Sequence, residues 1–319
     1  MLLTKNIGIR NSNDIKNRIR RYFILEGTLK DRICCIGKAD PDYPEKMKNL
    51  PNMPDKLYYL GQLPDFTKPS IAVVGARMCS AYGRTQAFHY ARTLSGAGVQ
   101  VISGMAQGID AEGHKGAIEG GTPTFAVLGN GVDICYPAFN RKLYSSILEH
   151  GGGILSELPP GTQPRPWYFP ARNRIISAIS DVVLVVEAKE RSGSLITAGT
   201  ALDQGRGVYA VPGAVNSALS KGCHRLIYDG AGIAYSPEVL LAEWGISGLE
   251  KGKSDEKRKL VLAKDLDLVY SCLDLRPKNP DDIIIKTGLL PGRVSSILTE
   301  LELMGLIREV GRHYYVRRD

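Results

Sequence analysis

The sequence predicts an α/β fold, with a Rossmann-like, doubly wound and mostly parallel sheet, a short N-terminal extension and a small C-terminal winged-helix domain. Between residues 64 and 249, short β-rich runs alternate with helical patterns and Gly-rich turns, which is typical of a parallel sheet covered on both faces. Residues 250–263 form a charged linker without apolar periodicity. Residues 264–319 then show three helical patterns and two alternating runs.

Residues 1–63 are predicted to be a helical or irregular extension that packs on the core. Arg18, Arg20 and Arg21 share one short stretch, and prolines stand at positions 41, 44, 51, 54 and 64. Prolines remove backbone donors and favour irregular structure.

The core, residues 64–249, is predicted to alternate strands with helices. The predicted strands are Ile71–Val74, Val99–Ile102, Thr124–Leu128, Gly153–Ser156, Asp181–Glu187 and Val208–Val211. The predicted helices are Ser80–Ser95, Ile109–Glu119, Asn140–Glu149, Ile175–Ser180, Leu195–Gln204 and Lys221–Asp229.

The last domain, residues 264–319, is predicted to be a winged helix-turn-helix with a two-stranded wing. Its predicted elements are helices Leu262–Leu273, Asp281–Thr287 and Pro291–Met304, followed by strands at Gly305–Glu309 and His313–Val316.

The charge of the chain points to a polyanionic partner. The formal net charge is +8 over 319 residues, but the core holds 15 basic and 14 acidic side chains, so affinity there must come from charge placement. The longest apolar run, residues 182–186, is too short to cross a bilayer. The six cysteines show neither a C-x-x-C pair nor metal-ligand spacing. We therefore expect a cytoplasmic protein without a membrane contact, structural metal or cofactor.

Two loops after core strands are suited to anions. In a doubly wound sheet, ligands bind at the carboxyl ends of the strands, where helix N-termini present free N–H groups. Gly75-Ala76-Arg77 predicts a phosphate contact through Arg77, or else a tight turn with an exposed arginine. Residues 192–194, Ser-Gly-Ser, resemble an anion-binding nest at a helix start, although an N-cap by one serine would also explain them.

Two further loops carry mixed signals. In residues 103–110, two glycines frame a turn that leads into a helix. Asp110 is expected to order this loop and to lie within reach of His114 for a buried hydrogen bond. Residues 128–142 combine Tyr136 with basic side chains, which suits single-stranded nucleic acid because bases stack on rings while cations follow the backbone. Tyr136 could equally be a core residue with a satisfied hydroxyl.

Two arginines flank Asn173 at a turn before an apolar run. Arg172 and Arg174 supply forked, permanently charged donors. The apolar spacing of residues 175–179 suggests a helix that buries one face while its N-terminus points at an anion. A solvated basic turn is the alternative for this segment alone.

Common catalytic motifs are missing from the sequence. It has no G-x-x-x-x-G-K-[ST] and no G-x-S-x-G, and the G-x-G at Gly129 and Gly131 runs into Tyr136-Pro137 where a dinucleotide site needs a helix. The loops are thus suited to holding phosphate, and no motif predicts bond cleavage. We expect a binding protein and not an enzyme.

Several motifs occur in a fixed order between residues 43 and 240. They are VGAR at 74–77, SGMAQGID at 103–110, AVLGNG at 126–131 with YP at 136–137, LSE at 155–157, FPARNRII at 169–176, EA at 187–188, SGSLITA at 192–198 and VPG at 211–213. Together they resemble the DNA-processing protein A (Smf) family.

The resemblance implies an extended Rossmann domain with an N-terminal extension and a winged-helix-like C-terminal domain. It also implies a homodimer that binds single-stranded DNA and loads a RecA-type recombinase onto it, in natural transformation where the host is competent. The implied dimer contact lies toward residues 210–245. Family members usually carry serine where this chain has Ala76, a loss of about one hydrogen bond, or about 1 kcal/mol.

The implied phosphate pocket includes Gly75, Ala76 and Arg77, with Arg141 or Lys142, both arginines of the 172–174 cluster and the 192–194 loop around it. No catalytic or metal-binding residue is expected. The full set of expected nucleic-acid-binding residues is Gly75, Ala76, Arg77, Gly104, Gly108, Asn130, Tyr136, Asn140, Arg141, Lys142, Phe169, Arg172, Asn173, Arg174, Lys189, Ser192, Gly193, Ser194 and Thr197.

Two alternative functions have weaker support. Phosphoribohydrolase-like enzymes, which process nucleotides on a related core, place a glutamate after a Pro-Gly-Gly-x-Gly-Thr loop, whereas residues 191–200 carry no carboxylate. A transcriptional regulator would read duplex DNA with its winged helix, but residues 264–319 hold nine basic and nine acidic side chains. We expect this domain to make protein contacts or to bind duplex weakly, with the basic side chains Arg308, Arg312, Arg317 and Arg318 at its wing.

Overall fold

Within the residues that the structure describes, a nine-stranded sheet forms the centre of the protein. The computed structural model describes residues 32–246, 264–274 and 276–318; Arg18, Arg20, Arg21 and the predicted linker at 250–263 lie outside the described residues. The strands of the large sheet are β1 (Cys34–Gly37), β2 (Lys56–Gly61), β3 (Ser70–Val74), β4 (Gln100–Ser103), β5 (Thr124–Val127), β6 (Gly153–Ser156), β7 (Val182–Val185), β8 (Gly207–Ala210) and β9 (Gly232–Ile233).

The order of the strands creates a switch point beside β3. The order is β1-β2-β6-β5-β4-β3-β7-β8-β9, and all pairs from β6 to β9 are parallel. From β3 the chain first builds outward through β4, β5 and β6, and then returns to place β7 on the other side of β3. Ligands of open α/β sheets bind outside the carboxyl ends of the strands at such a point.

Helices cover both faces of this sheet. Those of the first part of the chain are α1 (Glu45–Lys48), α2 (Ala81–Gly96), α3 (Ile109–Gly120), α4 (Arg141–Glu149), α5 (Tyr168–Ala178), α6 (Gly193–Asp203), α7 (Lys221–Tyr228) and α8 (Pro237–Glu243). Every residue of β3 to β7 is buried, as expected for parallel strands that are covered on both sides. Each described helix is too short or too polar to span a membrane.

Residues 34–61 contribute strands, which differs from the helical or irregular extension expected there. β1 pairs antiparallel with β2, and β2 pairs antiparallel with β6. Leu57 and Leu60 of β2 are buried between exposed ends. The prolines at 51 and 54 lie in the preceding turn, so the strand itself contains none. The prolines lie outside β1 and β2, in the segments that connect these strands to each other and to the rest of the fold. For this reason the proline pattern did not predict the two strands.

Helix α5 begins at Tyr168, well before the predicted start at Ile175. Pro170 fits in the first turn because the N–H groups there have no partner within the helix. Apolar periodicity begins only at Ile175, so no pattern predicted the earlier turns. Arg172 and Arg174 therefore project from a helix and not from a turn.

The C-terminal domain is a winged helix, as predicted. It consists of α9 (Lys264–Cys272), α10 (Pro280–Thr287) and α11 (Pro291–Leu303), followed by the hairpin β10 (Ile307–Gly311) and β11 (Tyr314–Arg317). Its core is separate and includes Val269, Ile283, Val294 and Ile297, all fully buried.

Two of the four wing arginines are engaged in contacts within the protein. The Arg308 guanidinium carbon lies 4.4 Å from the centroid of the Phe88 ring on α2, and burial lowers the pKa of Arg308. Arg317 lies 4.3 Å from the Tyr270 ring centroid and donates to the Tyr270 carbonyl. These contacts occupy two of the four guanidinium groups that the wing could offer to a phosphate.

Helices α2 and α3 approach each other closely in the core. A Cβ atom at Gly116 of α3 would lie 2.2 Å from the carbonyl oxygen of Phe88, which belongs to the backbone of α2 and cannot move independently. Glycine is therefore required at this position for the two helices to pack.

We expect Gly116→Ala to lower the free energy of unfolding by about 1–3 kcal/mol, since the added methyl group must separate the helices. Gly199→Ala on α6 is the matched control, because a Cβ there meets no atom within 4 Å. That control should raise stability by about 0.5–1 kcal/mol through helix propensity. Urea denaturation of both variants measures the difference; equal stabilities would contradict this account of the packing.

Candidate functional site

A depression of about 580 Å³ lies at the switch point, where β3 and β7 end. Its volume is in the range of small-ligand sites. Arg77 from the loop after β3, Lys189 from the loop after β7 and Arg172 from α5 all line it, so separate elements converge on one place. The predicted binding residues that line it are Gly75, Ala76, Arg77, Tyr136, Phe169, Arg172, Asn173, Lys189, Ser192, Gly193, Ser194 and Thr197.

The loop after β3 holds Arg77 at the rim. The Ala76 N–H donates to the Glu187 carbonyl at 2.8 Å, and the Ala76 carbonyl accepts from the Ile109 N–H at 3.3 Å. Both backbone groups of Ala76 are therefore used inside the protein, which removes its amide as a free phosphate donor. Arg77 itself is exposed, and it is the group of this loop that can reach a ligand.

Glu187 lies just after β7, the neighbour of β3 in the sheet, and holds this loop in place. Only 2% of its surface is exposed, and its carboxylate accepts from the Ser80 N–H at 2.8 Å and from the Ser80 hydroxyl at 2.5 Å. Ser80 Oγ in turn accepts from the Gly83 N–H at 3.0 Å and caps α2. Glu187 had no predicted role, and its position directly after the apolar run 182–186 was the available signal.

Arg172 lies under the floor of the depression and braces it. It is 4% exposed, and its Nη1 donates to the carbonyls of Gly104, at 2.9 Å, and Val127. These carbonyls end β4 and β5, so one guanidinium ties two strand ends together. Burial lowers the pKa of Arg172 to about 10, opposed by the negative charge of Asp110. The side chain thus stays cationic at neutral pH.

Asp110 is the buried counter-charge of Arg172. Its carboxylate accepts from the backbone N–H groups of Gly104 at 3.1 Å and Ala106 at 3.4 Å, which orders the loop after β4 as the sequence analysis expected. Burial raises the pKa of Asp110, and the charge of Arg172 opposes that shift. The predicted hydrogen bond to His114 does not form, since His114 pairs with Thr124 instead.

Aromatic rings and a guanidinium form one wall. The Tyr136 and Phe169 rings stack with centroids 5.4 Å apart and planes at 25°. The Arg77 guanidinium carbon lies 5.3 Å from the centroid of Phe169, within cation–π distance. Tyr136 is 42% exposed, so it is a surface ring and not a core residue.

The opposite wall is the N-terminus of α6. Ser192 Oγ accepts from the Ser194 N–H at 3.4 Å and lies 2.8 Å from Ser194 Oγ. Lys189 and Arg191 are exposed and line the depression beside these serines. The positive end of the helix and two side-chain cations therefore face the same space.

Arg174 lies outside the lining of the depression. Its guanidinium donates to both carboxylate oxygens of Glu157, at 2.8 and 2.6 Å, and to the carbonyls of Asn52 at 2.8 Å and Ala171 at 2.6 Å. Arg174 therefore connects α5 to the turn before β2, through Asn52, and to the end of β6, through Glu157. The sequence showed two equivalent arginines, and their partners made them different.

Other predicted residues shape the loops around the depression. Asn130 donates to the carbonyls of Gly131 and Ile134, and Asn140 donates to the carbonyl of Met105 at 2.9 Å. Gly108 has a φ of 84°, and a Cβ there would lie 2.4 Å from the carbonyl oxygens of Ala76 and Arg77. Gly104 supplies groups to the Arg172 and Asp110 network, while Arg141 and Lys142 are exposed at the start of α4.

Some lining residues were missed by the sequence analysis as site residues. They include Met78, Asp110, Pro166 and Arg191. Met78 and Arg191 are exposed and adjoin predicted residues, so their neighbourhood was the only signal. In the described residues, no group of three or more His, Cys, Asp or Glu side chains is arranged to hold a metal ion.

Two protein-family models match this chain, one over the large sheet with its helices and one over the C-terminal domain. Residues 34–245 match the family model of DNA recombination-mediator protein A, and residues 255–311 match the DprA winged helix domain. Protein Smf of Synechocystis is 34% identical over 95% of this chain and 85% of its own length. Protein Smf of Escherichia coli is 43% identical over 86% of this chain and 75% of its own length.

Two solved structures share the fold. DNA processing protein A of Streptococcus pneumoniae has a TM-score of 0.63 and 38% identity, covering 74% of this chain and 83% of that one. DNA processing protein A of Helicobacter pylori, described for its unique single-stranded DNA binding mode, has a TM-score of 0.60 and 26% identity, covering 67% of this chain and 95% of that one.

His114 makes the stability of this region depend on pH. Thr124 Oγ1 donates to the Val101 carbonyl at 2.7 Å and so accepts from His114 Nδ1 at 2.8 Å. His114 Nε2 is buried and has no hydrogen-bond partner among the described residues. Burial first, and then the charge of Arg172, lower the pKa of His114 from 6.5 to about 3.

We expect the contribution of neutral His114 to be present above pH 6.5 and to be lost as the pH falls toward 3, because the unfolded chain binds this proton more readily. The raised pKa of Asp110 acts in the opposite direction, so wild type must be compared with His114→Gln, in which Asp110 is unchanged. Urea midpoints between pH 7 and pH 4 should fall more steeply for wild type. Parallel curves would show that His114 does not carry this dependence.

Proposed function

Because the chain belongs to the DNA recombination-mediator protein A family, we propose that it binds single-stranded DNA in the depression at the switch point. The observation that carries this proposal is the convergence of exposed Arg77, the Tyr136–Phe169 stack and the N-terminus of α6 on one space. Single-strand binders combine cations that follow the backbone with rings on which bases stack.

The phosphate is held between two walls in this proposal. Arg77 offers a forked donor from one side, and the positive end of α6, with the hydroxyls of Ser192 and Ser194, faces it from the other. Lys189 and Arg191 add charge, and buried Arg172 adds a fixed positive charge beneath. Since the core is nearly neutral as a whole, this local concentration of cations supplies the attraction.

The remaining predicted residues are assigned two roles. Arg141 and Lys142, exposed at the start of α4, are proposed to contact the strand beyond the depression. Arg174, Asn130, Asn140, Gly104 and Gly108 are proposed to hold the loops in place, because each already makes a hydrogen bond or a close backbone contact within the protein.

The arrangement supports binding over catalysis. The first turn of α6 contains no acidic residue, although a nucleotide-cleaving enzyme would need a general acid or base there. Asp110 lines the depression, but its carboxylate is buried and accepts two backbone N–H groups. We therefore assign no catalytic residue.

We also propose that the protein acts as a homodimer in the cytoplasm and loads a RecA-type recombinase onto the bound strand, in DNA processing and, where the host is competent, natural transformation. Exposed side chains near β9, the edge strand of the sheet, support the proposed dimer contact. Exposed apolar side chains cluster in sequence there, with Tyr228 83%, Ile233 47% and Tyr235 74% exposed.

We expect Arg77→Ala to weaken binding of labelled oligo-dT at least tenfold, because a charge-assisted hydrogen bond contributes about 1.5–3 kcal/mol. Fluorescence polarisation at low and moderate salt measures the dissociation constant, which should rise steeply with salt for wild type. Lys115→Ala is the control, since Lys115 is an exposed cation on α3 that pairs with Glu112 at 2.8 Å, outside the lining of the depression. An unchanged dissociation constant for Arg77→Ala would refute the assignment.

The recombinase step has its own expected outcome. On oligo-dT covered by a single-strand-binding protein, wild-type protein should shorten the lag before a RecA-type recombinase hydrolyses ATP, whereas Arg77→Ala should not. The recombinase alone gives the reference lag. If wild-type protein binds oligo-dT but leaves the lag unchanged, the loading role is wrong and the binding role stands.

A further inference from the structure

An exposed tryptophan stands next to the depression without lining it. Trp167 is 60% exposed, although it directly precedes α5 and its neighbours Pro166 and Phe169 both line the depression. Exposure of an indole costs free energy in water, and large exposed apolar groups commonly mark contact sites. The ring does not serve the binding site described above.

A cation accompanies this ring. The Arg165 guanidinium carbon lies 5.5 Å from the Trp167 ring centroid, and Arg165 is itself exposed. The pair repeats the combination found inside the depression, where Arg77 lies over Phe169. The rings of the two pairs, Trp167 and Phe169, are two residues apart in sequence, and only Phe169 lines the depression.

The backbone that carries Trp167 is firmly held. The Tyr168 N–H donates to the Arg165 carbonyl at 3.0 Å, which closes a turn into α5. Helix α5 is anchored by buried Arg172 and by the ion pair of Arg174 with Glu157. The ring is therefore presented from a fixed element, and little conformational freedom would be lost when a ligand stacks on it.

We propose that Trp167 and Arg165 form a second nucleotide subsite, at which the base next to the nucleotide in the depression stacks on the exposed indole and Arg165 contacts its phosphate. This inference rests on the proposed function. It is favoured over a protein or membrane contact because the site adjoins the depression and pairs a ring with a cation, the combination that single strands require.

Intrinsic fluorescence gives a direct test. The chain contains two tryptophans, and Trp244 packs partly buried against the core, so Trp244→Phe leaves Trp167 as the sole reporter. Titration of this variant with oligo-dT of increasing length should quench its emission once the oligonucleotide is long enough to leave the depression. If Trp244→Phe fails to fold, the difference in quenching between wild type and Trp167→Phe gives the same signal.

Affinity provides the second measurement. Trp167→Ala should weaken binding of the longer oligonucleotides about tenfold and leave binding of dTMP unchanged, while Trp167→Phe should retain most of the affinity. Leu202→Ala is the matched control, because Leu202 is 58% exposed near the far end of α6 from the depression. It should change neither measurement.

The outcomes separate this inference from the proposed function. Failure of wild type to bind any oligo-dT would refute both. Binding that depends on Arg77, without quenching of Trp167 and with equal affinity for Trp167→Ala, would overturn the second subsite alone. A change in self-association for Trp167→Ala with unaltered oligo-dT affinity would also overturn it, because the ring would then be a protein contact.

Discussion

The buried guanidinium of Arg172 is the constraint on which the site depends. A charge that is 4% exposed is costly to bury unless it is paired and hydrogen-bonded. Here two carbonyls at the ends of neighbouring strands accept from it, and Asp110 supplies the opposite charge. Asp110 in turn orders the loop after β4. One satisfied network therefore fixes the floor under every group that faces the ligand space.

Glu187 performs the corresponding task at the rim. Its carboxylate holds Ser80 and its carbonyl holds Ala76, so the loop after β3 is tied to the end of β7 across the switch point. Both backbone groups of Ala76 are hydrogen-bonded within the protein. Ligand contact is left to the Arg77 side chain, and the absence of a hydroxyl at Ala76 matters less because the loop is already held by its backbone.

Much of the fold could be predicted because its signals are local. Each core strand and helix that the alternating β-rich and helical patterns predicted lies within a few residues of its observed bounds, except for α5, whose first turns carry no apolar periodicity. The short strand β9 and helix α8, at the end of the core, were not predicted. β1 and β2 were missed because prolines surround them, and β2 joins the large sheet by pairing with β6, far along the chain. The site loops were found for a similar reason: each glycine-rich turn follows a strand, and parallel strands end at one edge of the sheet.

The sequence by itself determined the alternation of elements, the loops at the strand ends and the resemblance to a family. The tertiary structure alone decided which cations are available. Arg77 stays exposed, Arg172 becomes an internal brace and Arg174 is paired with Glu157, although all three are arginines in anion-suited segments. The physical reason is that hydrogen-bond partners such as Val127 and Asn52 come from distant parts of the chain. Only the folded arrangement brings them within reach.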